Sequence, residues 1–248
     1  MPNQRSAAIV LEVMDYGESD KIVTCYTLAA GKLKGIAKGA KRSRKRFVNK
    51  LELFSRLELY YVGKAHHLAR IEQADLRDSF PNLRFDFRRY NAACLLCELV
   101  LHWTRENDAD PELFQLLHWG LKSLNQGEEL AKTIIYFHLQ LLTLLGYRPQ
   151  LGGCLRCGQL SREAGPFSFN LSQGGIICRH CHPGESSHLA LHLGTIKLLL
   201  LSQDLSPEKF KRFHFSPQAR AETLRLLRYS GNFLLQRELH SWRFLHHD

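Results

Sequence analysis

The hydrophobic pattern of the chain changes its period near residue 80, and this change limits the possible folds more than any other feature. Before that point, apolar and polar residues alternate in short runs bounded by glycines, as they do in β-strands. Beyond it, apolar residues recur every three or four positions, as they do in amphipathic helices. The sequence therefore predicts a multi-domain α+β protein in which a β domain precedes a helical one.

Residues 1–80 contain five runs with strand character, and glycines mark the turns between them. Gly31 divides one segment into two strands, and Gly63 is a hairpin signal between the last two. The segments are SAAIVLEVMDYG, DKIVTCYTLAAGKLKGIAKG, LELFSRLELYYVG and HHLARIEQADL. Five short strands without a helical repeat predict a small closed barrel.

The rest of the chain has the pattern of helices interrupted by an insert. Asp110, Ser206 and Ser216 each precede a proline, a combination that begins helices. The predicted helices are Leu83 to Arg105, Asp110 to Gly127, Glu128 to Gly146, His188 to Gln203, a short one from Ser206 and a last one from Ser216 to Arg243. The predicted domains are the barrel at 1–80, a helical part at 81–150, the insert at 151–187 and a second helical part at 188–248.

The insert carries two Cys-x-x-Cys pairs, Cys154 with Cys157 and Cys178 with Cys181. Each pair presents two thiolates from one tight turn, and two such pairs supply the four soft ligands of a zinc ribbon. The pattern predicts one structural Zn²⁺ with no open position for catalysis. Two alternatives remain at this stage. The four thiols are reduced and hold no metal, or His180 or His182 replaces the last cysteine.

Two similar motifs elsewhere favour other interpretations. Cys94 and Cys97 lie within a helical pattern among leucines, which indicates buried core thiols. His188 and His192 are spaced one helical turn apart but lack the glutamate of a zinc-protease motif, which favours a partly exposed helix face.

The charge of the chain is concentrated in one stretch. Residues 32–50 hold nine lysines and arginines and no acid, within a chain whose formal net charge is +10. The stretch falls between the third and fourth predicted strands, so it is an internal connection. A small barrel with a basic loop is a platform for single-stranded nucleic acid. The predicted phosphate contacts are Lys38, Lys41, Arg42, Arg44, Lys45 and Arg46; the alternative is a solvated loop that keeps the protein soluble.

Phe47, Phe54, Tyr60 and Tyr61 lie beside this stretch and are candidates for stacking on bases. Strand alternation sends at least half of them into the core, and core packing is the favoured interpretation for any one of them.

Several kinds of chemistry lack a motif. The sequence has no P-loop, no GxSxG elbow and no GxGxxG, so we expect a protein that is not an enzyme. The acids Glu12, Asp15, Glu18 and Asp20 are expected at loop or surface positions rather than at a metal. No run of 18 apolar residues and no signal peptide is found, so we expect no membrane span and a cytoplasmic location.

The order of these parts resembles the RecO family of bacterial recombination mediators. The segments that carry the likeness are GESDKIVTCYTLAAGKLKGIAKGAKRSRKRF, LELFSRLELYYVG, HLARIEQADLRDSFPNLRFDFRRYNAACLLCELV, LLTLLGYRPQLGGCLRCG and FSFNLSQGGIICRHC. The resemblance implies an OB-fold barrel, a helical domain and, as in many members, a four-cysteine zinc element.

The resemblance also implies a function in DNA repair and homologous recombination through the RecF pathway. Family members bind single- and double-stranded DNA and anneal complementary strands covered by SSB. They work with RecR and RecF, help to load RecA, and bind the SSB C-terminal tail through their helical part. A nucleoid-associated cytoplasmic protein is expected. An OB-fold adaptor for RNA or for an acidic protein tail, without annealing activity, is the alternative.

Overall fold

The computed structural model describes residues 3–63, 67–161, 166–181 and 189–245. The chain forms two compact units. Unit 1 comprises residues 1–128 together with 239–248, and unit 2 comprises residues 129–238. The chain thus leaves unit 1, builds unit 2 and returns to unit 1.

Unit 1 begins with a closed five-stranded barrel, which confirms the prediction. The strands are joined in the order β1-β2-β3-β5-β4, and only the β3–β5 pair is parallel. This is an OB-like barrel. Its strands are β1 (Gln4–Tyr16), β2 (Asp20–Thr27), β3 (Gly31–Ala37), β4 (Arg56–Val62) and β5 (Ala69–Asp78). Alternate side chains fill the interior, among them Val10, Val23, Leu33, Leu57 and Ile71.

Two local features allow the sheet to close. The register of β1 shifts between Val10 and Glu12, which bends the strand so that it pairs with β2 on one side and β4 on the other. Gly35 on β3 faces β5, and a Cβ at that position would lie 2.8 Å from Cγ1 of Ile71. A glycine is therefore needed where these two strands meet.

Two helices complete most of unit 1: α1 (Phe87–Trp103) and α2 (Pro111–Asn125). The Asp86 carboxylate accepts hydrogen bonds from the backbone N–H groups of Arg88 and Arg89, and Asp110 caps α2 in the same way. Both helices were predicted. The spacing of Phe87, Tyr90, Cys94, Cys97 and Leu101 predicts the buried face of α1, and this prediction was wrong in part, because Phe87 is 69 % exposed. Residues 91–100 are instead buried on nearly all sides, where hydrophobic periodicity carries little information.

The thiols of α1 agree with the core interpretation. Cys97 is buried and Cys94 is half-buried. Burial raises the pKa of Cys94 to about 11. Both side chains are therefore protonated packing groups rather than nucleophiles.

Strand β3 is tied to the end of α1. The ammonium of Lys32 donates to the carbonyl of Leu101 at 2.8 Å and to that of Thr104 at 2.5 Å, which caps the helix C-terminus. A Cβ at Gly31 would lie 2.0 Å from the carbonyl oxygen of Asp108, so the loop after α1 packs directly on the β2–β3 turn. The barrel and α1 are thereby fixed to each other.

Unit 2 is built from helices and a small sheet. The helices are α3 (Leu130–Leu144), α4 (Leu193–Ser202), α5 (Pro207–Phe210) and α6 (Pro217–Leu235). The strands β6 (Phe167–Asn170), β7 (Gly175–Cys178) and β8 (Ala190–Leu191) pair in the order β7-β6-β8. Helices α3 and α6 pack against each other and α4 packs on α6.

The predicted fourth and last helices have different bounds in the structure. Residues 190–191 form β8, and His192 is the cap residue of α4, so the pairing of His192 with His188 on a helix face was wrong; His188 itself lies outside the described residues. The Glu222 carboxylate holds His192 by accepting from its backbone N–H at 3.0 Å. Helix α6 ends where Gln236 takes a φ of 52°, a turn that no glycine signals.

The C-terminal residues return to unit 1. A short 3-10 turn, His240–Phe244, packs on α1. The Glu98 carboxylate accepts from the backbone N–H of His240 at 2.8 Å and of Ser241 at 2.9 Å. Among the described residues no helix is long and apolar enough to span a membrane.

Candidate nucleic-acid interface and metal centre

The connection between β3 and β4, residues 38–55, is called the basic loop from here on. Its backbone is anchored at the barrel by buried apolar side chains, with Phe47 3 %, Leu51 2 % and Phe54 0 % exposed. The Ser43 hydroxyl also accepts from the backbone N–H of Phe47 at 3.1 Å. The six predicted phosphate contacts are all exposed on this loop: Lys38, Lys41, Arg42, Arg44, Lys45 and Arg46.

Two of these cations have acidic partners that lie far away in the sequence. Nζ of Lys41 lies 3.0 Å from a carboxylate oxygen of Asp15, and a guanidinium nitrogen of Arg42 lies 3.7 Å from a carboxylate oxygen of Glu18. Asp15 lies near the end of β1, and Glu18 lies in the β1–β2 turn. Residues 38–51 of the basic loop contain no acid, but some of their cations acquire acidic partners in the fold.

Arg46 is occupied by the loop itself. Its guanidinium donates to the carbonyls of Lys38 at 3.2 Å and Glu72 at 3.3 Å. It also lies 4.9 Å from the centre of the Phe47 ring, within cation–π range. Arg46 thus helps to hold the loop, and its predicted phosphate contact stays a prediction.

Lys38, Arg44 and Lys45 remain as exposed cations. Within the described ranges, none of the three has an ion pair. An anion can therefore bind these three side chains without displacing an acidic partner.

Of the four acids near the N-terminus, Asp15 and Glu18 are exposed as expected, whereas Glu12 on β1 and Asp20 at the start of β2 are half-buried. Asp20 accepts from the backbone N–H of Gly39 at 2.8 Å, and this bond is the main cause of its lowered pKa. Glu12 accepts from the Thr24 hydroxyl at 3.3 Å. In the part of the chain that the structure describes, these acids do not gather into a metal site.

Most of the aromatic candidates for stacking lie in the core. Phe47, Phe54 and Tyr61 are buried, which confirms the packing interpretation for these three. Tyr60 is half-buried, and the guanidinium of Arg5 lies 5.7 Å from its ring centre.

The outer face of the barrel also exposes side chains that no sequence motif marks. Met14 is 49 % and Tyr16 is 55 % exposed on β1, two residues apart on the same side. Lys34 is exposed on β3, opposite Thr24 of β2. Alternation along β3 was the available signal for Lys34, because it turns this position away from the core.

The second site is the four-cysteine cluster. The sulfurs of Cys154, Cys157, Cys178 and Cys181 all lie within 4.8 Å of one another, and those of Cys157 and Cys178 are 3.7 Å apart. Zinc–sulfur bonds of about 2.3 Å in a tetrahedron place sulfurs about 3.8 Å apart. The predicted ligands are brought together, and their spacing fits a metal ion. His180 is exposed and outside this cluster, and His182 lies outside the described residues.

The first pair of cysteines is shaped by glycines. A Cβ at Gly153 would lie 2.3 Å from the carbonyl oxygen of Gly158. Gly158 itself has a φ of 74°, and its N–H donates to the carbonyl of Cys154 at 2.8 Å. Only glycines fit this turn without strain.

Backbone N–H groups donate to the sulfur of Cys154 and favour its thiolate form, which is the form that binds a metal cation. The sulfur of Cys154 accepts from the N–H of Cys178 at 3.3 Å and of Arg156 at 3.4 Å. Burial raises the pKa of Cys154, but these and other hydrogen bonds outweigh it and leave the pKa at about 6. The neighbouring sulfurs raise the pKa of Cys181 to about 12. Four thiolates at such distances repel one another, and a bound metal cation relieves that repulsion.

A closed OB-like barrel with an exposed basic loop is an architecture found among proteins that bind single-stranded nucleic acid. Two family models match the chain: "Recombination protein O N terminal" over residues 1–80 and "Recombination protein O C terminal" over residues 84–243. The chain belongs to the RecO family of DNA repair proteins, as the resemblance indicated.

Named relatives extend over nearly the whole chain. The DNA repair protein RecO of Syntrophus aciditrophicus is 37% identical over 244 residues, which is 97% of this chain and 94% of the relative. That of Geobacter metallireducens is 36% identical over 245 residues, 99% and 98% of the two chains. That of Syntrophobacter fumaroxidans is 37% identical over 216 residues, 87% and 86% of the two chains.

Proposed function

We propose that this protein is a non-catalytic mediator of DNA repair and recombination that binds single- and double-stranded DNA and anneals complementary strands. The observation that carries the proposal is the set of exposed cations Lys38, Arg44 and Lys45 on a loop whose backbone is anchored in the barrel core. Family membership names DNA repair as the process.

Annealing needs the charge of two phosphate chains to be neutralised without reading the bases. A fixed loop with several outward cations does this, because its ammonium and guanidinium groups contact phosphates of any sequence. No covalent step is involved. The protein lowers the repulsion between strands and then leaves the pairing to the bases.

The ion pairs divide the loop into two sets of contacts. If only Lys38, Arg44 and Lys45 bind phosphate, log K against log[salt] for single strands has a slope of about −2. If Lys41 and Arg42 exchange Asp15 and Glu18 for phosphates, the slope approaches about −3.5. The measured slope therefore distinguishes a three-cation from a five-cation contact.

The partners follow from the family. We propose that the protein acts on strands covered by SSB, binds the SSB C-terminal tail, and works with RecR and RecF to load RecA. Association with DNA places it at the nucleoid in the cytoplasm. Support comes from the near full-length match to relatives named DNA repair protein RecO.

The metal is proposed to be one structural Zn²⁺ held by Cys154, Cys157, Cys178 and Cys181. Four thiolates at tetrahedral spacing suit zinc, and with all positions filled by protein it supplies rigidity rather than reactivity.

The deciding experiment is strand annealing on SSB-coated DNA with the full chain and with a variant carrying Lys38→Ala, Arg44→Ala and Lys45→Ala. We expect the variant to lose most annealing and to show a flatter salt dependence of binding. Retention of both properties would overturn the proposal. Equal binding to RNA without annealing, or binding to an acidic peptide in place of DNA, would favour the adaptor alternative.

A further inference from the structure

Three phenylalanines of unit 1 are exposed although they are not part of the basic loop. Phe85 is 88 %, Phe87 69 % and Phe244 55 % exposed. The rings of Phe87 and Phe244 lie 6.4 Å apart in an edge-to-face arrangement, although they are 157 positions apart in the chain. We call Phe85, Phe87 and Phe244 the aromatic surface.

The backbone on both sides of the aromatic surface is fixed. The Asp86 carboxylate accepts from the backbone N–H of Arg88 at 2.9 Å and so holds the first turn of α1. On the other side, Glu98 holds the 3-10 turn that ends at Phe244, and Trp242 within that turn is 2 % exposed. The rings are therefore presented outward by ordered segments.

Each ring has an arginine next to it in the chain, in the order Arg84-Phe85, Phe87-Arg88 and Arg243-Phe244. All three arginines are exposed, and the guanidinium of Arg84 also donates to the backbone carbonyls of Ser79, Phe80 and Leu53. The single acid among these residues, Asp86, caps α1 and pairs with Arg89 at 3.3 Å. The aromatic surface thus combines flat apolar faces with positive charge.

The composition indicates what the surface binds. The large exposed apolar residues of segments 84–90 and 240–244 are all aromatic: Phe85, Phe87, Tyr90 and Phe244. Aromatic faces stack on any base, and neighbouring arginines contact the phosphates. We propose that the aromatic surface stacks on unpaired bases of single-stranded DNA. This inference rests on the proposed function and adds to it a contact that the basic loop does not make.

The test uses the full-length protein and two ligands, oligo(dT) and an abasic oligomer of equal length that keeps the phosphates but has no bases. We expect the triple variant Phe85→Ala, Phe87→Ala and Phe244→Ala to bind oligo(dT) at least about fivefold more weakly, since stacking is worth that much per base. Its affinity for the abasic oligomer and its salt slope should stay unchanged. Tyr229→Ala, which removes an aromatic ring that is 44 % exposed in unit 2, is the matched control.

A gain-of-signal variant covers the case in which the triple variant does not fold. Phe85→Trp keeps a stacking ring, and oligo(dT) should quench its fluorescence more than the abasic oligomer does. Equal quenching by both ligands overturns the proposal. An unchanged oligo(dT) affinity of a folded triple variant also overturns the proposal. The same holds if the triple variant loses binding to an acidic peptide but keeps its binding to oligo(dT).

The two proposals fail separately. If the Lys38, Arg44 and Lys45 variant weakens binding to both oligomers while the aromatic variant changes neither, stacking is wrong and the basic loop stands. If neither variant changes binding, the proposed function is wrong as well.

Discussion

The basic loop and the four-cysteine cluster are both held by turns next to β-strands. The functional side chains of the cluster point towards one another, whereas those of the basic loop point outward. In the cluster, four sulfurs converge to within 4.8 Å of one another and backbone N–H groups face them. In the basic loop, apolar side chains such as Phe47 are buried while the cations stand outward. A site whose polar groups satisfy one another stabilises its own fold, whereas a site whose charges diverge leaves them for another molecule.

Loss of a ligand should produce the largest effect. Cys154→Ser removes one of four thiolates, and structural zinc contributes on the order of 10 kcal/mol to the folding of small metal domains. We expect loss of bound zinc, measured by atomic emission, and rapid proteolysis of residues 150–190. Cys94→Ala, a thiol outside the cluster, is the control and should keep one zinc per chain. Full zinc in the Cys154 variant would show that the cluster is not the metal site.

The second-largest effect is expected from the loss of Phe47, which anchors the basic loop. Phe47→Ala removes a buried ring, which costs about 3–5 kcal/mol in protein cores, and it also takes away the ring beneath Arg46. Urea unfolding should show this loss, and DNA affinity should fall although no charge has changed. Val48→Ala next to it is a control, because Val48 is 44 % exposed and its loss should cost under about 0.5 kcal/mol. Equal stability of the two variants would mean that the loop is not anchored by Phe47.

Removing the acidic partners of Lys41 and Arg42 should have a smaller effect, and it should strengthen DNA binding. Asp15→Asn with Glu18→Gln keeps the shape of both side chains and removes the partners of Lys41 and Arg42. Since exposed pairs are worth up to about 1 kcal/mol each, affinity for single-stranded DNA should rise roughly three- to tenfold. The salt slope should become steeper as well. Glu112→Gln, a change of an exposed acid on α2, should leave both quantities unchanged. Weaker binding of the double variant would contradict the division of the loop into paired and free cations.

The smallest expected effect is on the pH dependence of folding stability, through the carboxylate of Asp20. Its hydrogen bond from Gly39 lowers its pKa in the folded state, so its contribution to stability is complete above the unfolded pKa of about 3.9. That contribution is lost as the pH falls through the lower folded value. Asp20→Asn should therefore unfold more easily than the parent at pH 6, and the difference should shrink towards pH 2. A difference that stays constant over this range would rule out the carboxylate as its source.

Local spacing explains what could be predicted. The cysteine ligands follow from two Cys-x-x-Cys turns, and the five strands follow from alternation between glycines. The start of α2 follows from Asp110 and Pro111, because capping is a property of neighbouring residues.

Contacts between distant segments explain what could not be predicted. The partners of Lys41 and Arg42 lie at the end of β1 and in the β1–β2 turn, and they meet the loop only after the barrel closes. The exposure of Phe87 was missed because helical spacing places it on the same row as Cys94 and Cys97, while burial is decided by the elements that pack around α1. The end of α6 at a left-handed Gln236 likewise has no local signal.

The return of the last residues to unit 1 has a consequence for biosynthesis. Glu98 of α1 receives its two hydrogen bonds from His240 and Ser241, which are translated only after all of residues 129–238. The unit that is begun first on the ribosome is thus completed last, and an arrested or truncated chain leaves the flank of α1 uncovered. The barrel of unit 1 is in this way joined to a turn that packs on α1 only when synthesis has passed through unit 2.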